Sequence, residues 1–287
     1  MVYLKNFTIL SREQEERILD SIRETCYTTR YPFTIFRSRD VPQLEFGPLT
    51  IFYGGNGSGK TTLLNIIAER LHLSRESVFN RSSFFEDYVR ECSYKMTFGK
   101  IAPPGSRIIT SDDVFDYLLD IRYVNQGIDT ERVKLFDQYV SDKYEPFQLK
   151  GLDDYKEFKR KCDAKSKSRS RFIKERLMEN VQEQSNGESG LYYFTNSIKE
   201  NALYLLDEPE NSLSASLQLK LKSFLEDSAR FYHCQFIIST HSPFLLSMQG
   251  AKIYDLDSDP IDVKPWTQLE NVKTYYSFFK SHEKEFF

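Results

Sequence analysis

The residues with the clearest chemical role lie between Gly54 and Thr62. This segment reads Gly-Gly-Asn-Gly-Ser-Gly-Lys-Thr-Thr and fits the phosphate-binding pattern GxxxxGK[ST]. An apolar run, residues 49–53, precedes it, and a helical pattern from Thr61 to Leu71 follows. Glycines let backbone N–H groups approach phosphate oxygens, and a helix N-terminus adds about half a positive charge at the same place. We therefore expect this segment to bind the phosphates of a nucleoside triphosphate.

Individual roles follow from the chemistry of this loop. We expect Lys60 to reach the β- and γ-phosphates and the Thr61 hydroxyl to ligate Mg²⁺. The other residues expected to bind the nucleotide are Gly54, Gly55, Asn56, Gly57, Ser58, Gly59 and Thr62.

Two acids, Asp207 and Glu208, end a second apolar run, residues 203–206. In nucleotide-binding α/β folds such a strand lies beside the phosphate-loop strand and brings the first acid to Mg²⁺. We expect Asp207 to bind the metal and Glu208 to face the γ-phosphate and orient the attacking water. The alternative is a buried strand followed by two loop acids. The complete phosphate loop upstream favours the first interpretation.

Two more motifs complete an ordered set. Gln184-Ser-Asn-Gly-Glu-Ser189 precedes the acidic strand, and Ser239-Thr-His-Ser-Pro243 ends the following strand. With them the chain resembles the ABC-type ATPases. The resemblance implies that Asp207 and Glu208 are the Walker B pair and that His241 is the switch histidine at the γ-phosphate. It implies that a signature helix grips the nucleotide of a second subunit through Ser185, Gly187 and Glu188, with Gln184 replacing the usual leucine.

The residues within these motifs are similar to those of one branch of that family. Asp207-Glu-Pro-Glu-Asn211 and Ser-Thr-His-Ser-Pro-Phe-Leu from Ser239 are similar to stand-alone bacterial ATPases of the SMC/RecF-like "AAA domain" group. Transporter subunits usually carry DEPTSALD and THD. The resemblance implies a homodimer that sandwiches ATP and Mg²⁺ and regulates an effector protein in DNA repair or anti-phage defence. The ATP-binding subunit of a membrane transporter and a non-hydrolysing ATP-binding scaffold are the alternatives.

Several positions depart from the family or stay open. The run 107–110 leads into Ser111-Asp112-Asp113 without the glutamine of a Q-loop, so Ser111 or Asp112 replaces it or the coupling differs. Tyr31 either stacks on the base or packs in the core. The remaining candidates are two arginines that bind the α-phosphate or ribose, or else form surface charge, namely Arg37 and Arg39.

The predicted fold class is α/β, a P-loop NTPase of the ABC head type. We expect one domain over 1–287, a mixed sheet with an antiparallel N-terminal edge, and a helical insertion over about 74–200 that ends at the signature. Predicted strands are 33–36, 43–46, 49–53, 107–110, 202–206, 234–239 and a hairpin of 252–256 with 261–263. Predicted helices are 12–25, 112–123 after a Ser111 cap, 130–141, 152–162, 169–184, one capped by Ser212, and 268–280.

Bulk properties exclude several classes. A net charge of −3 gives no overall preference for nucleic acid or membranes. Four cysteines without a CxxC pair argue against a zinc site or disulfide framework, and with no signal-peptide or membrane-spanning pattern we expect a cytoplasmic protein.

One basic segment, Lys156–Arg176, stands out against this neutral background. It is a solvated helical arm, a nucleic-acid contact or a dock for an acidic partner. Its cationic residues are Lys156, Lys159, Arg160, Lys161, Lys165, Lys167, Arg169, Arg171, Lys174 and Arg176.

Overall fold

A parallel sheet carries the phosphate loop. The computed structural model describes residues 1–22, 26–27, 29–37, 41–99, 101–146, 155–181 and 185–286, with the Tyr155 side chain left aside. These residues form two compact units, a larger one of Met1–Val114 with Asn186–Phe287 and a smaller one of Phe115–Ser185. The strands are β1 Leu4–Thr8, β2 Leu44–Glu45, β3 Leu49–Tyr53, β4 Ser93–Met96, β5 Arg107–Thr110, β6 Leu203–Asp207, β7 Gln235–Ser239, β8 Lys252–Asp255 and β9 Asp262–Val263.

The strand order of the central sheet is β5-β6-β7-β3-β8-β9. All pairs are parallel except β8 with β9, which form the predicted closing hairpin. The prediction that β6 lies directly beside β3 is wrong, because β7 lies between them. Thr110, Asp207, Ser239 and Phe52 are nevertheless register partners across four strands. The carboxyl ends therefore meet at one edge, as in other parallel sheets.

The remaining three strands form a separate antiparallel sheet, in the order β2-β1-β4. The sequence pattern predicts neither β1 nor β4. The strand predicted at 33–36 is wrong, because these residues form turns in which Phe33 and Phe36 are buried and Thr34 has a φ of 79°. The Thr34 N–H donates to the buried Glu15 carboxylate at 3.1 Å, a contact between distant residues that no local pattern encodes.

The helices of the chain are α1 Arg12–Ser21, α2 Lys60–Arg70, α3 Phe85–Glu91, α4 Ser111–Tyr144, α5 Tyr155–Ser166, α6 Arg169–Lys174, α7 Asn186–Ser197, α8 Ala215–Phe231, α9 Pro243–Leu246 and α10 Glu270–Ser281. A capping box formed by Ser11 and Gln14 opens α1. The cap predicted at Ser111 is wrong. Thr110 and Asp113 instead exchange side-chain and backbone hydrogen bonds, and α4 runs unbroken through two predicted helices.

Two other helix predictions are corrected. Ser214, not Ser212, occupies the cap position of α8, because Ser212 has a φ of 68° and belongs to the preceding loop. The helix predicted over 169–184 ends at Lys174, and residues 182–184 lie outside the described part of the chain. In the smaller unit, an apolar cluster packs around Phe172 and consists of Leu135, Tyr139, Ala164, Phe172 and Ile173.

Candidate nucleotide-binding site

The phosphate loop connects the fully buried strand β3 to α2. Gly57 and Gly59 have φ values of 80° and 98°, which side-chain-bearing residues rarely adopt. A Cβ on Gly59 would also lie 2.8 Å from Phe36 Cε1. The Lys60 ammonium donates to the carbonyls of Gly54 at 2.8 Å and Gly55 at 3.1 Å. The loop therefore curls around a buried cation at the start of a helix, the arrangement that suits phosphate.

An oxygen pair lies beside this loop. The Thr61 hydroxyl donates to Asp207 Oδ1 at 3.0 Å, and the Ser239 hydroxyl donates to the same oxygen. Asp207 is buried, and this burial raises the pKa of its carboxyl, while the two hydroxyl donors oppose the rise. A hydroxyl and one carboxylate are ligands that Mg²⁺ accepts when phosphates and waters complete its shell. In the described residues no group of three or more His, Cys, Asp or Glu could hold a metal by itself.

Glu208 lies between the Lys60 ammonium and the His241 imidazole. Its Oε1 is 3.7 Å from Lys60 Nζ and 3.8 Å from His241 Nδ1. Its N–H donates to the Ser239 carbonyl at 3.0 Å, which anchors the end of β6 to the end of β7. The structure thus brings together five predicted residues around one sheet edge, namely Lys60, Thr61, Asp207, Glu208 and His241.

Two carboxylates at this edge, Glu210 and Asp257, are not among the predicted site residues. Glu210 Oε1 accepts hydrogen bonds from the Thr240 hydroxyl at 2.5 Å and from the backbone N–H groups of His241 at 3.0 Å and Ser242 at 3.3 Å. Burial raises the pKa of the Glu210 carboxyl. Asp257 Oδ2 accepts from the Gly55 N–H at 2.7 Å. Glu210 belongs to the Asp207-Glu-Pro-Glu-Asn211 motif, which assigns it no role in the site, and no sequence signal marks Asp257.

Thr110 occupies the place at the end of β5 next to Asp207. Its hydroxyl lies 2.9 Å from the Ser77 hydroxyl, and its N–H donates to Asp113 Oδ2 at 2.7 Å. Asp112, one of the two predicted substitutes for the missing glutamine, is exposed on α4, whereas Asp113 is buried. The hydroxyls of Ser77 and Thr110 and the carboxylate of Asp113 therefore occupy the end of β5, where a Q-loop glutamine would be expected.

Comparison with known proteins identifies the family. A family model described as ABC transporter matches residues 42–211, which is more than half of the chain. This chain belongs to the ABC-type ATPase family. A second model, described as "AAA domain, putative AbiEii toxin, Type IV TA system", matches residues 179–247. No curated protein matches the sequence significantly.

Solved structures similar to this ABC ATPase include SMC head domains and ATP-binding cassettes of ABC transporters. The Smc head domain of Pyrococcus furiosus, bound to the C-terminal domain of ScpA, is 13% identical, with 99% of this chain and 100% of that chain covered and a TM-score of 0.46. A nucleotide-free ATP-binding cassette from an ABC transporter is 17% identical, with 96% of each chain covered and a TM-score of 0.42. The SMC head domain from Thermotoga maritima is 14% identical, with coverage of 78% and 92% and a TM-score of 0.39.

The predicted signature residues open α7 of this ABC ATPase. Gly187 is the second residue of the helix and is buried, and Glu188 follows it on the exposed side. A Cβ on Gly187 would lie 2.7 Å from Leu217 Cδ1 and 3.1 Å from the Ser212 carbonyl oxygen. Ser185 precedes the helix and is exposed, and Gln184 lies outside the described residues. The start of α7 therefore packs closely on the loop and helix that follow Asp207 and Glu208.

The two residue types proposed for base and ribose contacts have other partners. The Tyr31 hydroxyl donates to Thr62 Oγ1 at 3.1 Å, and its ring stacks on Phe85 with 5.7 Å between ring centroids. This contact favours the core-packing interpretation. Arg37 forms an ion pair with Glu16 at 2.9 Å, and Arg39 lies outside the described residues.

Within the smaller unit, ion pairs with carboxylates neutralise much of the positive charge of the basic segment Lys156–Arg176. Each of six cationic side chains lies within 4 Å of a carboxylate, as in Arg160 with Asp142, Lys161 with Glu157, Lys167 with Glu175, Arg171 with Glu175, Lys174 with Glu179 and Arg176 with Asp163. Such pairs leave fewer cations for a phosphate backbone, so they weigh toward a solvated helical arm. In the described part of the chain, no helix combines the length and apolarity needed to cross a bilayer.

Proposed function

We propose that this chain is a Mg²⁺-dependent ATPase that hydrolyses ATP to ADP and phosphate. The observation that supports it best is the convergence of a charged pair, Glu208 and Lys60, with His241 next to the oxygen pair of Thr61 and Asp207. Phosphoryl transfer needs mainly positioning and charge stabilisation, which such a set of groups supplies.

Each group has a distinct part in the proposed reaction. Lys60 and the loop amides of residues 54–62 hold the phosphates, and Glu208 accepts the proton of the attacking water. His241 donates to the γ-phosphate and stabilises its developing charge. Thr61 and Asp207 would hold Mg²⁺, which would neutralise charge on the phosphate oxygens.

The composite nature of the site belongs to the same proposal. The signature residues Ser185, Gly187 and Glu188 act on the ATP of a second copy, so a head-to-tail dimer of two copies encloses two nucleotides. The resemblance of the motifs to the SMC/RecF-like group and the match to the AAA-domain model support an ATPase that regulates an effector protein in DNA repair or anti-phage defence, in the cytoplasm. A transporter subunit is the second candidate, favoured by the description of the matching family model.

Substitution of the water-orienting acid tests the ATPase proposal. We expect Glu208→Gln to bind ATP and dimerise but to turn over at least ~10²-fold more slowly, the usual contribution of general-base help. ATP binding, dimer mass and phosphate release are measured side by side, with Lys60→Ala as the variant that loses nucleotide. Near wild-type turnover by Glu208→Gln would falsify the role of Glu208.

Capture of partners on the same variant separates the two candidate pathways. Glu208→Gln, held in ATP and used as bait in native-host extract, should retain a nuclease or another effector. Retention of a membrane permease would instead support the transporter subunit.

A further inference from the structure

Glu210 is a buried acid that the proposed reaction does not use. It is 5% exposed and lies in the loop between β6 and α8, two residues beyond Glu208. One of its oxygens, Oε1, accepts three hydrogen bonds from three consecutive residues of another loop, Thr240, His241 and Ser242. Three donors of one loop therefore converge on a single oxygen of the Glu210 side chain.

The three donors are the predicted switch histidine, His241, and its two neighbours in the chain. Thr240 and Ser242 are buried, whereas the His241 side chain is 46% exposed. Packing therefore restrains the ring only in part, and its position depends on the backbone that carries it. A second contact holds the same residue, since the Asn271 amide donates to the His241 carbonyl at 2.9 Å.

We propose that Glu210 is a positioning residue that sets the place of His241 relative to Glu208. Glu208 and Glu210 share one loop, and the Glu210 carboxylate ties that loop to the backbone of the histidine. His241 Nδ1 lies 3.8 Å from Glu208 Oε1 and 3.6 Å from Glu210 Oε1. A small shift of the loop that carries His241, or of the loop that carries both acids, therefore changes the distance between His241 and Glu208. The effect on rate rests on the proposed ATPase function, whereas the effect on the loop does not.

Two substitutions separate reach from charge. Glu210→Gln keeps the length and an acceptor oxygen but removes the charge, and Glu210→Asp keeps the charge but is one methylene shorter. A positioning role predicts that Gln retains kcat within about threefold, while Asp lowers kcat by about tenfold or more with little change in KM, because the shorter side chain no longer reaches its three donors. Glu226→Gln is the matched control. Glu226 also accepts a hydrogen bond from a distant backbone N–H, that of Gln249, 23 residues later, at 2.7 Å.

Hydrogen exchange supplies a readout that does not need activity. In the nucleotide-free protein, the amides of His241 and Ser242 should exchange faster in Glu210→Asp and keep wild-type exchange in Glu210→Gln and Glu226→Gln. In a His241→Ala background, Glu210→Asp should cause no further loss of kcat, because the two residues act as one unit.

Either readout can overturn the proposal. A Glu210→Asp protein with wild-type exchange at both amides contradicts the positioning contact, whether or not the chain hydrolyses ATP. A result in which Asp rescues kcat and Gln does not would assign Glu210 an electrostatic role instead. A wild-type protein without ATPase activity but with the expected exchange pattern would sink the proposed function and leave the loop contact standing.

Discussion

Backbone conformations that L-residues avoid occur at several residues of the site. Glu208 itself has a φ of 47°, and Gly57 and Gly59 of the phosphate loop have larger positive values. Non-glycine residues in this region carry strain of order 1–3 kcal/mol, which persists only where surrounding contacts hold it. At Glu208 the holding contact is the hydrogen bond from its N–H to the Ser239 carbonyl. The acid thereby leaves the line of β6 and turns toward Lys60.

The two phosphate-loop glycines allow strain and crowding to be separated by experiment. Alanine at Gly59 must adopt a φ of 98° and meets Phe36 Cε1 at 2.8 Å, whereas alanine at Gly57 has a φ of 80° and no atom within 4 Å. We expect Gly59→Ala to weaken ATP binding at least about tenfold, equal to ~1.4 kcal/mol, and Gly57→Ala to weaken it less. Calorimetric ATP titrations of both variants measure this, and equal losses would show that contact with Phe36 has no effect.

At the scale of elements, α7 packs against α8 and the loop before it, and this packing positions Gly187, one of the predicted signature residues. A Cβ added at Gly187 would lie 2.7 Å from Leu217 Cδ1, the end of a flexible side chain, and 3.1 Å from the Ser212 carbonyl oxygen, so both the side chain and the backbone would have to shift. At Gly190, in the next turn of the same helix, the nearest atoms are at 3.4 Å, which is ordinary contact. The two glycines therefore form a matched pair on one element.

We expect Gly187→Ala to retain ATP binding, because its contacts are with α8 and not with the phosphate loop. ATP-dependent dimerisation should fall by about tenfold or more, since overpacking commonly costs 1–3 kcal/mol. Gly190→Ala should dimerise like the wild type. Sedimentation of each variant in the Glu208→Gln background, with and without ATP, measures the effect, and full dimerisation of Gly187→Ala would remove the signature role.

The elements differ in how well their sequence reveals them. The buried strands β3, β6 and β7 are short apolar runs next to motifs, and all three are predicted to within a residue or two. Strands β1 and β4 pair with each other through partners such as Phe7 and Tyr94, far apart in sequence, and neither shows a strong local pattern. Local strand propensity at 33–36 fails because the buried aromatic rings and the Glu15 contact favour a turn.

The same distinction applies to the site. Motif residues such as Lys60 and Asp207 are predictable because their chemistry fixes both type and spacing. Glu210 and Asp257 are not, because each binds backbone N–H groups of a loop 31 or 202 residues away, and every residue type except proline can supply such a donor. The order of β7 between β3 and β6 is likewise a property of topology, to which two apolar runs carry no clue.

For the whole molecule, the proposed sandwich makes each site depend on two copies of the chain. A phosphate loop from one copy and a signature from the other would form one site, so defects in the two motifs should complement each other. Lys60→Ala removes the phosphate-binding cation, and Gly187→Ala disturbs the signature helix of its own chain. Each variant alone should be nearly inactive, because both sites of its dimer carry the defect.

Mixing the two variants tests this arrangement directly. A mixed dimer has one site with an intact phosphate loop and an intact signature, and one site with both defects. With random pairing half of the dimers are mixed, so about one quarter of the wild-type rate per chain should return. Phosphate release is measured against the ratio of the two variants at constant total protein. The rate should peak at equal amounts and fall on dilution, whereas a mixture no faster than its parts would mean that each chain works with its own signature or that no such dimer forms.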